Sequence, residues 1–171
     1  MGALPRRKLQ ELVGLQLGRR PGIAFHVRVY CGYGWPAVIE NDACTPSGEP
    51  NPNLYYLTCP YLRRELAVLE DGGWIERVHR MALQQQALRK QLAAAQREHA
   101  ALWRRKAGRD WPGPDERGPR IAAAGDDLAI KCLHAHFAWF LVNEDHEVGQ
   151  VLLKAIGERW CRDDRCASLS L

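Results

Sequence analysis

The amino-acid sequence predicts an α+β fold in which a small, mostly antiparallel sheet packs against several helices. Three short segments between residues 23 and 58 have strand character and are separated by turn-forming residues. Helical spacing of apolar residues occupies most of the remaining chain, including one long basic segment. The length of 171 residues and the 46% hydrophobic content are typical of a single globular domain, residues 1–171.

Residues 1–58 are predicted to form an N-terminal helix followed by the sheet. Apolar residues recur at helical spacing through residues 6–17, and Gly and Pro then end the helix. Residues 23–30 alternate between the two faces of a strand, which indicates a half-buried strand. Two further strands are predicted at residues 37–39 and 54–58, on either side of a polar loop.

Residues 59–106 are predicted to form a helical arm. Pro60 suits the first turn of a helix, which the pair of glycines after Asp71 would end. The next segment, residues 75–106, lacks Gly and Pro and is rich in Ala, Gln, Leu and Arg, so it is predicted to be one long helix. A linker rich in Gly and Pro follows at residues 107–125.

Residues 126–160 are predicted to form two helices, and residues 161–171 a tail. Asp126 or Asp127 would cap the first helix, because a short carboxylate accepts hydrogen bonds from the free N–H groups of the first turn. The second helix would begin near Val148. The first of these helices carries the Cys-Leu-His-Ala-His run, which holds the best candidate ligands of the chain.

The composition bounds the chemistry that the cysteines can perform. Residues 1–20 hold no apolar run, and no segment reaches the ~18 apolar residues of a membrane span, so we expect a cytoplasmic protein without membrane insertion. In that compartment thiols stay reduced. Six cysteines there favour metal binding or thiol chemistry over a disulfide framework.

The Cys-Leu-His-Ala-His run supplies two candidate ligands on one helical face. Successive helical residues turn by about 100°, so Cys132 and His136 would lie about 40° apart, whereas His134 would point elsewhere. A Cys and a His at this spacing suit a helical zinc motif. A small buried cysteine beside a hydrogen-bonded core histidine would show the same pattern, so both interpretations stay open.

Two distant cysteines are the predicted partners of this pair. Cys59 ends a strand and begins a helix, where free N–H groups and the helix dipole stabilise a thiolate. Cys31 leaves another strand into a Gly-rich turn, where the open backbone would let a metal or a cluster approach. His136 is the favoured fourth ligand, with His134 or Cys161 in reserve.

Three blocks of the sequence resemble the bacterial domain-of-unknown-function family 501 (DUF501). They comprise residues 16–19 with 31–39, residues 53–62 with Leu69-Glu70 and Gly73, and residues 131–136 with Ala138 and Asn143. The chain departs from the family pattern after Asn143, where the family usually has Asn-Pro and a Gly. The resemblance implies no activity. Genes of the family often neighbour those for a septum-forming coiled-coil protein and an exopolyphosphatase, so the resemblance implies a cell-division or envelope context.

The family pattern has a cysteine in each block, so the resemblance favours a shared site of Cys31, Cys59 and Cys132. With His136 as fourth ligand, three thiolates and an imidazole suit tetrahedral zinc. The same residues also suit an iron–sulfur cluster that has one ligand other than cysteine. The predicted function is therefore the binding of zinc or of an iron–sulfur cluster.

A thiol-dependent enzyme is an alternative. Cys59 would be the nucleophile, with His134 or His136 as base. Lys131 or Arg63 would then hold an anionic substrate or cofactor.

A third hypothesis is a protein-binding module. Apolar residues follow a heptad spacing through the basic helix of residues 76–106, which could pair with a partner helix. Equally, this seam could cover the protein's own sheet or the helix of the predicted metal site. A nucleic-acid partner is not expected, since no nucleic-acid-binding motif is found.

Overall fold

The computed structural model of the chain describes residues 5–169, which form six α-helices, one three-stranded sheet and two short 3₁₀ helices. In chain order, the helices and strands are α1 (Arg6–Leu17), β1 (Phe25–Tyr30), β2 (Pro36–Asn41), β3 (Tyr55–Leu57), α2 (Pro60–Asp71), α3 (Trp74–Gln84), α4 (Gln86–Ala107), α5 (Leu133–Val142) and α6 (Glu147–Ile156). The predicted α+β class is confirmed. None of these helices is both long enough and apolar enough to cross a membrane.

The sheet is antiparallel, with strand order β1-β2-β3. The central strand is β2, where Ile39 pairs with Val27 of β1 and with Tyr56 of β3. Every residue of β2 is buried, whereas β1 exposes every second residue. This difference explains why the alternating pattern of β1 was visible in the sequence.

The helix α1 covers one side of the sheet and ends where the sequence predicts. Val13 and Leu17 form a small core cluster with Ile39 of β2. Gly18 follows the helix with a φ of 70°, a left-handed conformation that favours glycine over residues with a side chain. Pro60 likewise occupies the first position of α2, as predicted.

The long helix predicted at residues 75–106 is interrupted, so this prediction is wrong. Gln85 has an extended backbone (φ −109°, ψ 111°) and separates α3 from α4. A straight helix over residues 74–107 would be about 50 Å long and would carry one end away from the core. The break instead lets Val78 of α3 and Leu88 of α4 enter the same core. Tertiary packing therefore outweighs the local helical propensity.

The apolar heptad seam of residues 76–106 packs into the protein's own core. Val78, Leu88 and Leu92 are at most 1% exposed and belong to the main core. Lys106 of α4 also binds the buried Glu40 carboxylate of β2 at 2.7 Å. The seam is therefore not an exposed face, and a partner of this helix would have to bind its outer, basic side.

The segment between α4 and α5 is fastened to α4 rather than extended as a linker. The buried Gln96 side chain donates a hydrogen bond to Ala129 O at 3.0 Å and accepts one from Ile121 N at 2.8 Å. The predicted helix start at Asp126 or Asp127 is wrong, because Asp126 Oδ1 accepts hydrogen bonds from two following amides in a turn. The helix α5 begins at Leu133 instead.

The C-terminal segment, predicted as a tail, folds back onto the sheet as far as the structure describes it. Cys166 is 5% exposed and lies in a short 3₁₀ helix, Arg165–Ser168. The Trp35 indole donates a hydrogen bond to Asp164 at 2.6 Å, which joins this segment to the beginning of β2. Residues 1–4 and 170–171, at the outer ends of the predicted N-terminal segment and tail, lie outside the described residues.

Candidate metal centre

Glu70 lies in the last turn of α2 and faces the beginning of α5. Its Oε1 atom accepts a hydrogen bond from the backbone N–H of Leu133 at 2.6 Å. The first N–H groups of a helix have no partner within the helix, and they favour a negative charge. Glu70 therefore caps α5 from a neighbouring helix, and the cap fixes the carboxylate beside the first residues of α5.

Cys132 is the N-cap residue of α5 and has an extended backbone (φ −153°, ψ 119°). Its sulfur atom, a carboxylate oxygen of Glu70 and a ring nitrogen of His134 all lie within 4.8 Å of one another. Among residues 5–169, no other set of three or more Cys, His, Asp or Glu side chains is as compact. The three residues, called the EHC group below, are the strongest candidate metal ligands in the structure.

The two nitrogen atoms of the His134 ring have different partners. Nε2 donates a hydrogen bond to the backbone carbonyl of Arg63 at 2.9 Å, and Nδ1 lies 3.1 Å from Glu70 Oε1. Burial alone would lower the pKa of His134, but contacts with the Cys132 side chain, the Arg63 carbonyl and the Glu70 charge raise it to about 9. At neutral pH, the Nδ1 proton thus occupies the place between the three side chains where a cation would bind.

The EHC group borders a pocket of about 370 Å³. Cys132 and His134 form part of its wall, together with Tyr56 of β3 and Arg63 of α2. Structural zinc sites are closed by four protein ligands, whereas catalytic zinc sites have three and keep one position open. Three ligands beside a pocket match the second arrangement.

The wall of this pocket also contains strained backbone. Ala122 lines the pocket with φ 57° and ψ 28°, and Ala123 has φ 52°. The left-handed region is unfavourable by about 1–2 kcal/mol for a residue with a Cβ atom. Lys131, predicted to hold a cofactor or an anion, is exposed and donates a hydrogen bond to Ala123 O at 3.0 Å. Strain of this kind accumulates at ligand sites, which supports a role for the pocket.

The predicted ligands Cys31 and Cys59 lie in a different part of the molecule. Cys59 is the N-cap of α2, whereas Glu70 lies in the last turn of that helix. A separation of eleven helical residues corresponds to about 16 Å. Cys31 follows β1, and its backbone N–H donates a hydrogen bond to Trp35 O at 2.8 Å. The predicted set of Cys31, Cys59, Cys132 and His136 is therefore not assembled as one group.

His136, the favoured fourth ligand, is turned into the core. It is fully buried, and its Nδ1 lies 3.2 Å from Nε2 of His146. Burial, together with the charges of His146 and His99, lowers the pKa of His136 well below its usual value. The predicted pairing with Cys132 fails because Cys132 precedes the helix, so the helical turn of 100° per residue does not relate the two side chains.

Cys59 has properties opposite to those of an activated nucleophile. Burial raises its pKa to about 11, although the amides of Leu62 and Tyr61 in the first turn of α2 oppose the increase. The residue is only 5% exposed. A catalytic thiol needs a lowered pKa and access to substrate, so this geometry gives no support to Cys59 as nucleophile.

Glu70 is a potential ligand that the sequence alone does not indicate. It lies at the end of a predicted helix, where a carboxylate usually faces water, and more than sixty residues separate it from His134. Its position in the second block of the family resemblance was the one available signal. Only the packing of α2 against α5 places it beside Cys132.

Together, the fold and the EHC group define a small α+β protein with a compact group of three potential metal ligands beside a pocket. The sequence model of the family described as "Protein of unknown function (DUF501)" matches residues 27–154. The chain belongs to this family, so the resemblance found in the sequence is confirmed. No curated protein and no solved structure gives a significant match to the chain.

Proposed function

We propose that the protein binds a zinc ion through Glu70, Cys132 and His134, with a further coordination position beside the pocket. The compactness of the three ligand atoms carries this proposal. Zinc bonds of about 2.0–2.3 Å at tetrahedral angles place neighbouring ligand atoms roughly 3.3–3.8 Å apart. Since the ligand atoms already lie within 4.8 Å of one another, small side-chain movements would complete the site.

The hydrogen bonds around the EHC group suit this role. Histidines that bind metals usually donate the N–H of the other ring nitrogen to a carbonyl or carboxylate, which fixes the ring. The bond from His134 Nε2 to Arg63 O provides this contact and leaves Nδ1 directed at Glu70 and Cys132. Zinc would displace the Nδ1 proton and take over its position.

The donor set distinguishes between the two cofactors predicted from the sequence. Iron–sulfur clusters are held mainly by cysteine thiolates, and the EHC group offers one thiolate. A thiolate, an imidazole and a carboxylate are all established ligands of zinc. The EHC group therefore favours zinc. Bound there, zinc would activate a water molecule in its open position.

The experiment is the metal content of the purified protein and of variants at the three ligands. We expect Glu70→Gln, Cys132→Ser and His134→Asn each to lower zinc affinity by at least tenfold, since second-shell losses alone reach 10–100-fold. Zinc K-edge absorption of the parent protein should show one sulfur ligand among lighter ligands at this site. Cys44→Ser and His79→Asn are matched controls outside the EHC group, and they should bind zinc as the parent does.

Unchanged zinc affinity in all three ligand variants, with circular dichroism spectra like those of the parent, would refute the proposal. A parent protein that binds no zinc when dialysed against micromolar zinc would refute it as well. Glu70→Gln separates the metal role from capping, because the glutamine oxygen can still accept the hydrogen bond from Leu133.

Protein binding through the helix of residues 76–106 stays a second proposal. The buried seam limits it to the outer surface of α4, where Arg89, Lys90 and Arg97 are exposed. An acidic partner, in the division or envelope context implied by the family resemblance, would suit that surface. Reversing these three charges should weaken such binding without affecting zinc.

A further inference from the structure

The backbone N–H groups of two cysteines from different parts of the chain donate hydrogen bonds to the segment at the beginning of β2. The N–H of Cys31, after β1, donates to Trp35 O at 2.8 Å, and the N–H of Cys59, before α2, donates to Ala37 O at 3.4 Å. Their hydrogen-bond partners are thus two residues apart on the same short segment. The two cysteines consequently flank the beginning of β2, although 28 residues separate them in sequence.

A third cysteine reaches the same segment from the C-terminal end. The Gln16 side-chain amide donates to Pro36 O at 2.9 Å and also lies 3.5 Å from the sulfur of Cys166. Gln16 and Cys166 are 4% and 5% exposed. Because Pro36 lies between the partners of Cys31 and Cys59, Cys166 is part of the same buried neighbourhood.

A fourth cysteine, Cys161, lies in the same C-terminal segment as Cys166. A Cβ atom placed on Gly32, the residue after Cys31, would lie 3.6 Å from the Trp160 ring. The chain therefore passes the Cys31 turn immediately before Cys161, and the bond from Trp35 to Asp164 holds it there. This cluster has no connection to the EHC group, which lies at the other end of α2.

The charges of these thiols influence one another. The pKa of Cys59 is raised first by burial and then further by Cys166 and Cys31. Burial also raises the pKa of Cys166, and Cys31 and Cys161 add to the effect. All four cysteines are free thiols in the structure.

We propose that Cys31, Cys59, Cys161 and Cys166 form a second metal centre with four thiolate ligands, which fastens the C-terminal segment to the beginning of β2. Four cysteines from three parts of the chain make a closed, structural type of site. No three of these sulfur atoms lie within 4.8 Å of one another, so binding requires rotation of the cysteine side chains. Zinc and an iron–sulfur cluster share this thiolate chemistry.

The test uses the full chain, purified without oxygen and reconstituted in separate samples with zinc alone or with ferrous iron and sulfide. We expect one metal centre beyond that of the EHC group. The double variant Cys161→Ser/Cys166→Ser should lose this centre and keep the other, and Cys44→Ser should keep both. Four-sulfur coordination in the zinc K-edge spectrum of Glu70→Gln, whose EHC group has a lowered zinc affinity, identifies a zinc site, whereas visible absorption with iron and sulfide in the sample identifies a cluster.

A second measurement does not depend on the folding of a variant. In the parent protein, metal should slow alkylation of Cys31, Cys59, Cys161 and Cys166, in addition to Cys132 of the EHC group, and should leave Cys44 reactive. It should also slow trypsin cleavage after Arg162, which is exposed. A strong chelator should restore both reactions. Equal metal content in the double variant and the parent would overturn the proposal. Alkylation of all six thiols at rates that metal does not change, or disulfide bonds among the four cysteines found by mass spectrometry, would also overturn it.

Discussion

Replacement of His99 by asparagine should remove one of three similar contributions to the acid sensitivity of the fold, since burial also lowers the pKa of His136 and of His146. His99 is 3% exposed, and its Nδ1–H donates a hydrogen bond to Pro119 O at 2.8 Å. Burial lowers its pKa from 6.5 to about 4, and the bond to Pro119 opposes this shift only in part. Asparagine can donate the same bond through Nδ2 and does not titrate.

The direction of the effect follows from proton binding. Below pH 6.5 the unfolded chain protonates this histidine, whereas the folded protein does not do so until about pH 4. The unfolded state therefore binds more protons in this window, and the free energy of unfolding falls as the pH is lowered through it. A shift from 6.5 to about 4 corresponds to about 3 kcal/mol, at 1.36 kcal/mol per unit.

Urea unfolding followed by tryptophan fluorescence between pH 7.5 and pH 4 measures this difference. His99→Asn should be less stable than the parent at pH 7.5, because the ring loses its contact with Trp139, and should lose about 3 kcal/mol less on acidification. Leu92→Ala is the matched control on the same helix, since it creates a cavity without changing a titrating group. An acid-induced loss in His99→Asn equal to that of the parent would refute the reasoning.

Three further substitutions test the packing around the candidate sites by urea unfolding at pH 7.5. Gln96→Leu should cost about 3 kcal/mol, because Ile121 N–H and Ala129 C=O would be buried without partners; a loss below 1 kcal/mol would mean that water replaces the amide. Gly149→Ala should cost about 3 kcal/mol or more, since its Cβ would overlap the Cβ of Phe140, and an unaffected variant would contradict that contact. Ala123→Gly should gain about 1 kcal/mol by relieving a φ of 52°, and a loss would show that the backbone is not strained.

The parts of the fold that the sequence predicted correctly depend on local signals. The alternation of β1 reflects a strand with one exposed face, and Gly18 marks the end of α1 through a backbone conformation that favours glycine. The break at Gln85 has no comparable signal, because every neighbouring residue favours a helix. Packing of α3 and α4 into one core produces that break, and packing cannot be read from a local window.

The same distinction explains the outcome for the candidate site. The Cys-Leu-His-Ala-His run contributes Cys132 and His134 to the EHC group, but the choice of His136 over His134 assumed a helix that began before Cys132. Asp126 forms a turn and delays the helix, so Cys132 becomes its N-cap and faces His134. Glu70 enters the site only through the contact between α2 and α5.

The helix α2 connects the two proposed centres, with Cys59 before its first residue and Glu70 in its last turn. Their separation of about 16 Å exceeds the screening length of about 8 Å at physiological ionic strength, so direct repulsion between the two metal charges is weak. Loss of one centre should therefore leave the affinity of the other unchanged, unless α2 itself shifts. Zinc titrations of the double variant Cys161→Ser/Cys166→Ser and of Glu70→Gln distinguish these cases. Equal affinities for the remaining centre mean that α2 is a rigid spacer, and a tenfold change means that occupation of one centre repositions the helix for the other.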